Sequence, residues 1–465
     1  MLMKLRRQLA LLSLATQRRY LARRLSDPRD IVVPVALGLY NTASMIAAEK
    51  IPSGGRELEA HFLARLLSGD LHGLLDDVQQ AQRVLSLRQR HRLAMAIAML
   101  DANQGHALLS AFDPKNNSER LARAALAIGV GELAQARQLL SQADADPAAP
   151  WLKALIAFKS GDLHDYRKYI RVGFLGHDLA APDLIDMNGT YAIANLRSPE
   201  VVRISDGPKV AILMPVRNVE NYIDSAIASL RAQSWQNIEI VIVDDASTDL
   251  TVEIASKHAL QDARVHLLQQ SARGGPYVAR NRAILQTDAE FVTVLDGDDW
   301  AHPHRIELQI KQLLASSKLI ATDSTWIRVE DGGMLTARQF WPLLRWNPGS
   351  LLFRRQEVLD RAGLYDPVLS GADTEFNERL RLAFGASRIK RINEPLTMAA
   401  ARSSSLTGDP KLGFGSGPAN ASRLAYWEAW HAWHLDCYMG GRIRDLRLGA
   451  SRPFPAPEEL LIDEC

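Results

Sequence analysis

The sequence predicts an α/β protein, a Rossmann-like mixed sheet over residues 206–407 preceded by an all-α region. Three observations predict it. Short runs of β-branched and aliphatic residues alternate with helical patterns after residue 206. Residues 51–200 are instead rich in Ala, Leu, Gln and Arg, with apolar positions three and four apart. Finally, polar clusters follow the ends of the apolar runs, where open α/β sheets bind ligands.

A chain of 465 residues is too long for one ordinary domain. An apolar content of 47% and a charged content of 23% are those of a globular protein. A net charge of +2 gives no electrostatic argument for nucleic acid as a partner. Cys437 and Cys465 form no CxxC pair and have no zinc-like His spacing, which fits a reducing, cytoplasmic setting. No apolar run reaches the roughly 18 residues of a membrane span.

The elements follow in order. Residues 1–50 form a basic segment, with Lys4, Arg6, Arg7, Arg18, Arg19, Arg23 and Arg24 flanking Leu9–Ala15. This reads as an amphipathic helix that docks on the protein itself or lies peripherally on the anionic inner membrane surface. Residues 51–200 form a helical domain. Ser68-Gly69-Asp70-Leu71-His72 echoes Ser160-Gly161-Asp162-Leu163-His164, with Gly131-Glu132-Leu133 between them. Glycines between helical runs at such a period resemble a tetratricopeptide-type hairpin; an irregular bundle is the alternative. No catalytic residue stands out there, so the region reads as a docking surface for a protein partner.

Leu196–Pro208 carries linker residues. Strands are then expected at 210–214, 238–243, 264–268 and 291–295, separated by helices at 220–233, 248–260 and 277–286. Strand-helix-strand order implies parallel pairing with right-handed crossovers. Residues 408–465 close the chain. Trp427, Trp430 and Trp433 share one helical face that packs on the sheet domain, with His431 and His434 as outside candidates for a metal. Pro453–Pro457 should be extended.

The chemistry concentrates at strand ends. Val292–Leu295 delivers Asp296-Gly297-Asp298-Asp299 into a turn. Crowded carboxylates repel unless a cation sits among them. Hard divalent cations take oxygen ligands, and Mg²⁺ is usually held by one or two carboxylates plus substrate phosphates. Asp296 and Asp298 are therefore the candidate ligands of Mn²⁺ or Mg²⁺; Asp299 either orients the turn or replaces Asp296. Asp244 and Asp245 end the second strand, where a carboxylate suits a uracil imide or ribose hydroxyls. Asp245 is assigned to the ligand and Ser247 to capping the next helix.

The ordered set Met214-Pro215-Val216-Arg217-Asn218, Asp244-Asp245-Ala246-Ser247-Thr248-Asp249, Ala279-Arg280-Asn281 and Leu295–Trp300 resembles family 2 glycosyltransferases of the GT-A fold, from Lys209 to about Thr407. The resemblance implies an inverting transferase that uses a nucleotide-diphospho-sugar, a UDP-sugar foremost, and a divalent metal. It places Pro215, Val216, Asp245 and Arg280 around the nucleotide and Asp298 on the metal. It also implies a glycan or lipid-linked acceptor.

Inversion needs a general base opposite the departing diphosphate. By the resemblance, the base is the Asp of a late Glu-Asp pair, which here is Asp373 in Ser370-Gly371-Ala372-Asp373-Thr374-Glu375. Ala372 replaces the usual Glu. That leaves Asp373 as the base and Glu375 as its fallback; otherwise Asp373 simply caps the helix that starts near Thr374. Thr287-Asp288-Ala289 is a lesser departure. Arg402 in Arg402–Thr407 either meets phosphate oxygens or lies in a solvated loop, and Trp341 and Trp346 either stack on a sugar or join the core. Two rivals stand beside this reading: a nucleotidyltransferase, disfavoured because no glycine-rich basic loop follows the first strand, and a non-catalytic helical scaffold with a degenerate sugar-nucleotide domain.

Overall fold

The computed structural model describes residues 30–49, 52, 55–69, 74–81, 84–110, 113–337, 339–402, 405–406, 408–409, 412–413, 420–448 and 452–462. The expected N-terminal amphipathic helix and Cys465 lie outside them, as do Ser403, Ser404 and Thr407.

Among the described residues ten helices come first: α1 (Val32–Leu37), α2 (Tyr40–Glu49), α3 (Gly55–Ser68), α4 (Leu74–Ala81), α5 (Leu87–Ala98), α6 (Ala102–Ser110), α7 (Asn117–Val130), α8 (Leu133–Ser141), α9 (Ala149–Lys159) and α10 (Leu163–Leu175). The glycines picked out by the repeat close hairpins. Gly131 and Gly161 sit at φ 90° and 74°, a left-handed conformation that costs glycine little. At each, two hydrogen bonds tie off the preceding helix: Glu132 N–H to Ala127 O and Gly131 N–H to Ile128 O, then Asp162 N–H to Ala157 O and Gly161 N–H to Phe158 O. This double closure is the Schellman motif, which satisfies the last carbonyls of a helix.

The helical region does not stand apart from the sheet. Its apolar faces, including Trp151, Tyr166 and Phe174, share one cluster with Trp300, Ile327 and Met398 of the sheet. The stretch read as a linker is also anchored. A short ladder pairs β1 (Asp183–Leu184) with β2 (Leu196–Arg197), and Ile204 bridges to Trp235.

The main sheet has nine strands: β3 (Val210–Val216), β4 (Ile238–Asp244), β5 (Val265–Gln269), β6 (Phe291–Val294), β7 (Trp300–Ala301), β8 (Ala321–Val329), β9 (Leu335–Thr336), β10 (Arg345–Arg354) and β11 (Ile389–Ala400). Their order is β5-β4-β3-β6-β10-β8-β11-β7, with β9 on β8. The half from β5 to β6 is parallel, as the alternating pattern predicts. Beyond β6 the sheet is mixed: β10 runs antiparallel to β6 and β8, while β11 is parallel to β8.

Helices α11 (Ile223–Arg231), α12 (Thr251–Gln261), α13 (Gly275–Gln286), α14 (Arg305–Ala315), α15 (Arg355–Arg361), α16 (Ala372–Phe384) and α17 (Ala421–Met439) complete the fold. Every residue of β3 is buried because both faces are covered. Leu213 and Val241 join a cluster with α13 and α16, whereas Ile212 and Ile240 join one with α11 and α14. Chain order reverses at β3, which has β4 on one side and β6 on the other. Their carboxyl ends flank the crevice where such sheets bind ligands.

Candidate active site

The ends of β3, β4 and β6 are stitched together. Asp245 N–H donates to Val216 O at 2.9 Å. Gly297 follows β6, and a Cβ built there would lie 2.5 Å from Val216 Cγ1. Only a residue without a side chain lets the acidic turn approach β3 this closely. Pro215 and Val216 are thus buried at the floor of the crevice.

Asp244 and Asp245 divide their work. Asp244 accepts the Ser247 N–H and holds the turn. Asp245 Oδ1 accepts from Gly274 N–H (2.5 Å) and Gln270 Nε2 (2.7 Å), and its Oδ2 accepts from Gly275 N–H at 2.9 Å. Asp245 therefore fixes the entrance to α13, the helix that carries Arg280. The cap expected from Ser247 is corrected: its hydroxyl accepts Asn218 N–H, and Asp249 accepts the Thr251 N–H at the start of α12. The helix begins later than its sequence pattern suggested, so Asp249 is nearer its first turn.

Arg280 is the hub of the site. Its side chain is buried, with the guanidinium 5.0 Å from the Tyr277 ring and 5.7 Å from the Tyr365 ring. Nη2 donates to Asp296 Oδ1 at 2.6 Å, while Nε and Nη1 have no acceptor among the described residues. Asp373 acts electrostatically on this same group and on both tyrosines. Asp245, Arg280, Asp296 and Asp373 thus surround one helix and its guanidinium.

The acidic turn carries more charge than its burial easily supports. Asp298 Oδ2 accepts from Arg402 Nε at 2.7 Å, and Asp299 Oδ1 accepts Ala400 N–H at 3.1 Å. Burial first, then the neighbouring carboxylates, push Asp299 well above the usual carboxylate range; burial also raises Asp298 despite Arg402. Asp296 remains half-exposed. Among the described residues no three His, Cys, Asp or Glu side chains gather into a complete metal cage. The donor set nevertheless fits a hard cation that takes part of its shell from a substrate. Asp299 ties the turn to β11 through the Ala400 N–H.

Asp373 lies in the first turn of α16, after Gly371 at φ 93°. Its Oδ1 accepts Thr374 N–H at 2.7 Å. Ala372 is fully buried in the apolar cluster beneath, so the position of the missing Glu is filled by packing. Glu375 is removed as a fallback base. It is completely buried, accepts from Arg379 Nε at 2.9 Å and contacts His434 Nε2 at 3.0 Å. The same contact commits His434 to Glu375 rather than to the acidic turn. Trp341 joins the cluster shared with the helical region, and one face of Trp346 is covered by Arg391 at 5.1 Å.

Two cations were missed by sequence reading. Arg305 is wholly buried under the turn, donating from Nη2 to Val294 O at 2.6 Å, and burial pulls its guanidinium down to about 10. Arg328 on β8 acts on Asp298 and Asp299. Their one sequence signal is a lone arginine in an otherwise apolar helix face or strand, which is easily taken for an exposed residue.

Residues 211–371 match the model of Glycosyl transferase family 2. These residues form a family 2 glycosyltransferase domain. The domain is 37% identical over 107 residues to an uncharacterized glycosyltransferase of Haemophilus influenzae, covering 23% of this chain and 43% of that protein. Similarity to the uncharacterized glycosyltransferase EpsJ of Bacillus subtilis is 29% over 224 residues, covering 44% of this chain and 64% of EpsJ. The chain thus spans less than two thirds of either relative. Crystalline S. aureus TarS 1-349 in complex with UDP-GlcNAc superposes with a TM-score of 0.36 at 21% identity, over 48% of this chain and 72% of that one. Within the transferase domain, the matched region begins in β3 and ends at the residue before α16, so it contains the acidic turn and stops just short of Asp373.

Proposed function

We propose that the chain is an inverting, metal-dependent glycosyltransferase that moves a sugar from a nucleotide-diphospho-sugar, a UDP-sugar first, to a hydroxyl of a growing polysaccharide or surface glycan. The observation that carries this reading is the convergence of Asp296, Asp298 and Asp373 on the crevice that holds the half-satisfied guanidinium of Arg280. A buried arginine with free N–H groups is a strong donor for oxyanions. Pro215, Val216 and Asp245 form the floor and wall for the nucleotide.

Asp296 and Asp298 would hold Mn²⁺ or Mg²⁺, which when bound neutralises charge on the departing diphosphate. This chain's own groups do the rest. Arg280 steadies the acidic turn from one side and Arg402 from the other. Asp373 accepts the proton of the acceptor hydroxyl as that oxygen attacks the anomeric carbon and the carbon–diphosphate bond breaks. Arg402 leaves Asp298 for phosphate oxygens when donor and cation enter.

A reducing, cytoplasmic setting fits this donor class. Among the described residues no helix is long and apolar enough to cross a membrane. The test is turnover of a panel of UDP-, GDP-, dTDP- and CMP-sugars with Mn²⁺, read as release of the nucleotide. One donor consumed in the presence of metal supports the reading. A protein that binds nucleotide but releases none with any donor or acceptor would favour the scaffold alternative.

A further inference from the structure

A cavity of about 580 Å³ lies in the helical region, walled by α1, α2, α3 and α5 and reached by Gln339 from the sheet domain. That volume falls within the ~300–1,000 Å³ common to small-molecule sites. Most of its wall is hydrocarbon, with Val35, Leu63, Leu67, Met95 and Met99 facing it. Methionines in such a wall adapt to chains of varied shape.

The charged groups are few and of unequal sign. Arg56 and Arg92 both border the cavity, against one carboxylate, Glu59. Glu59 is buried and meets Arg92 Nη2 at 2.6 Å, so among the described residues Arg56 shares Glu59 and has no anion of its own. His91 adds a ring nitrogen, Nε2, that is shut off from solvent and has no hydrogen-bond partner among the described residues. An apolar wall with a surplus of cation at one side matches a hydrocarbon chain that ends in an anion. A wholly polar ligand would leave its groups unpaired against the aliphatic wall, at a real desolvation cost.

We propose that this cavity is a binding site for a single-chain amphiphile with an anionic head, its chain among Leu63, Leu67, Met95 and Met99 and its head beside Arg56 and Arg92. The site lies outside the transferase crevice and does not depend on how that crevice is read. It adjoins the transferase domain through Gln339, whose Oε1 accepts from Arg345 at the start of β10. Further along the same strand, Pro348 O accepts from Asn377, which also holds the Asp373 carbonyl. Hydrogen bonds along β10 thus link the cavity wall to α16.

The test titrates the full chain with dodecyl phosphate below its micelle concentration, followed by calorimetry, with dodecyl maltoside as the uncharged comparison. The site predicts one saturable equivalent of dodecyl phosphate and weaker binding of the maltoside. Ala36→Trp, at an exposed position on the wall, and Met99→Trp, at a half-buried one, should each weaken dodecyl phosphate at least tenfold while circular dichroism stays unchanged. Arg56→Ala should weaken dodecyl phosphate severalfold and leave the maltoside alone. Equal binding by wild type and both tryptophan variants would overturn the proposal. So would the absence of binding by the full chain together with its appearance on removal of residues 1–29, which would make that segment the occupant.

Discussion

Asp373 and Gly297 make opposite kinds of contribution, one chemical and one steric. If Asp373 takes the acceptor proton, Asp373→Asn keeps the shape and loses the base. Its kcat should fall about 10²–10⁴-fold with donor affinity unchanged; unaltered turnover would remove the assignment. Gly297 has no left-handed backbone to protect, so an added methyl acts only through its collision with Val216. Gly297→Ala should cost about 1–3 kcal/mol in urea unfolding and weaken metal-dependent donor binding. Val216→Ala placed with it should restore much of both, because it removes the opposing methyl. Gly297 was legible in the sequence only as a turn residue; its contact with β3 needed the fold. Asp298 and Asp245 were legible because carboxylates after apolar strands are conspicuous. Arg305 and Arg328 were not, because an arginine hidden beneath a turn has the same sequence appearance as an exposed one.

The elements that brace Asp373 lie mostly downstream of it. Helix α16 is pinned from within by Glu375 and Arg379 and from α17 by His434. Tyr426 and Arg452 meet on Asp366 nearby. Breaking a buried pair strands a charge, so Arg379→Met should lower stability by about 3–5 kcal/mol. Glu375→Gln with Arg379→Met should recover a large part of the loss in the same urea assay, since neither charge then remains. Sequence periodicity located α16 and the aromatic face of α17, where Trp430 is fully buried. It could not show that α17 reaches α16 through a histidine, because that contact spans 59 residues. The parallel strands β3–β6 were legible for the same reason that they are buried: two covered faces demand an unbroken apolar run. The mixed half was less so, since polar and half-exposed residues interrupt the apolar runs of β10 and β11.

At the scale of the molecule, the helical region and the transferase domain are joined through a buried seam. His302 stands in it, stacked 6.1 Å from Phe174 and edge-on to Trp300. Nε2–H donates to Ala180 O and Nδ1 accepts His304 N–H, which defines a neutral ring. Burial drives its pKa down from 6.5 to about 4. Between those values the unfolded chain binds the proton that the folded chain refuses. Stability is therefore intact above about pH 6.5 and declines by about 3 kcal/mol toward pH 4. Urea midpoints of wild type and His302→Asn across that window should differ in slope, with the variant flatter. Glu307 adds a separate loss at lower pH: burial raises it, but hydrogen bonds from Lys311, Ser234 and His304 prevail and hold it at about 2.

In the proposed reading, carboxylates from separate strand ends and one helix serve a single cation and a single diphosphate. The most direct measurement is the thermal midpoint of wild type and Asp298→Asn with each nucleotide sugar, with and without Mn²⁺. One nucleotide sugar should raise the wild-type midpoint by several degrees only when Mn²⁺ is present, and Asp298→Asn should lose this increment. An equal shift in the variant, or a wild-type shift indifferent to Mn²⁺, would contradict it.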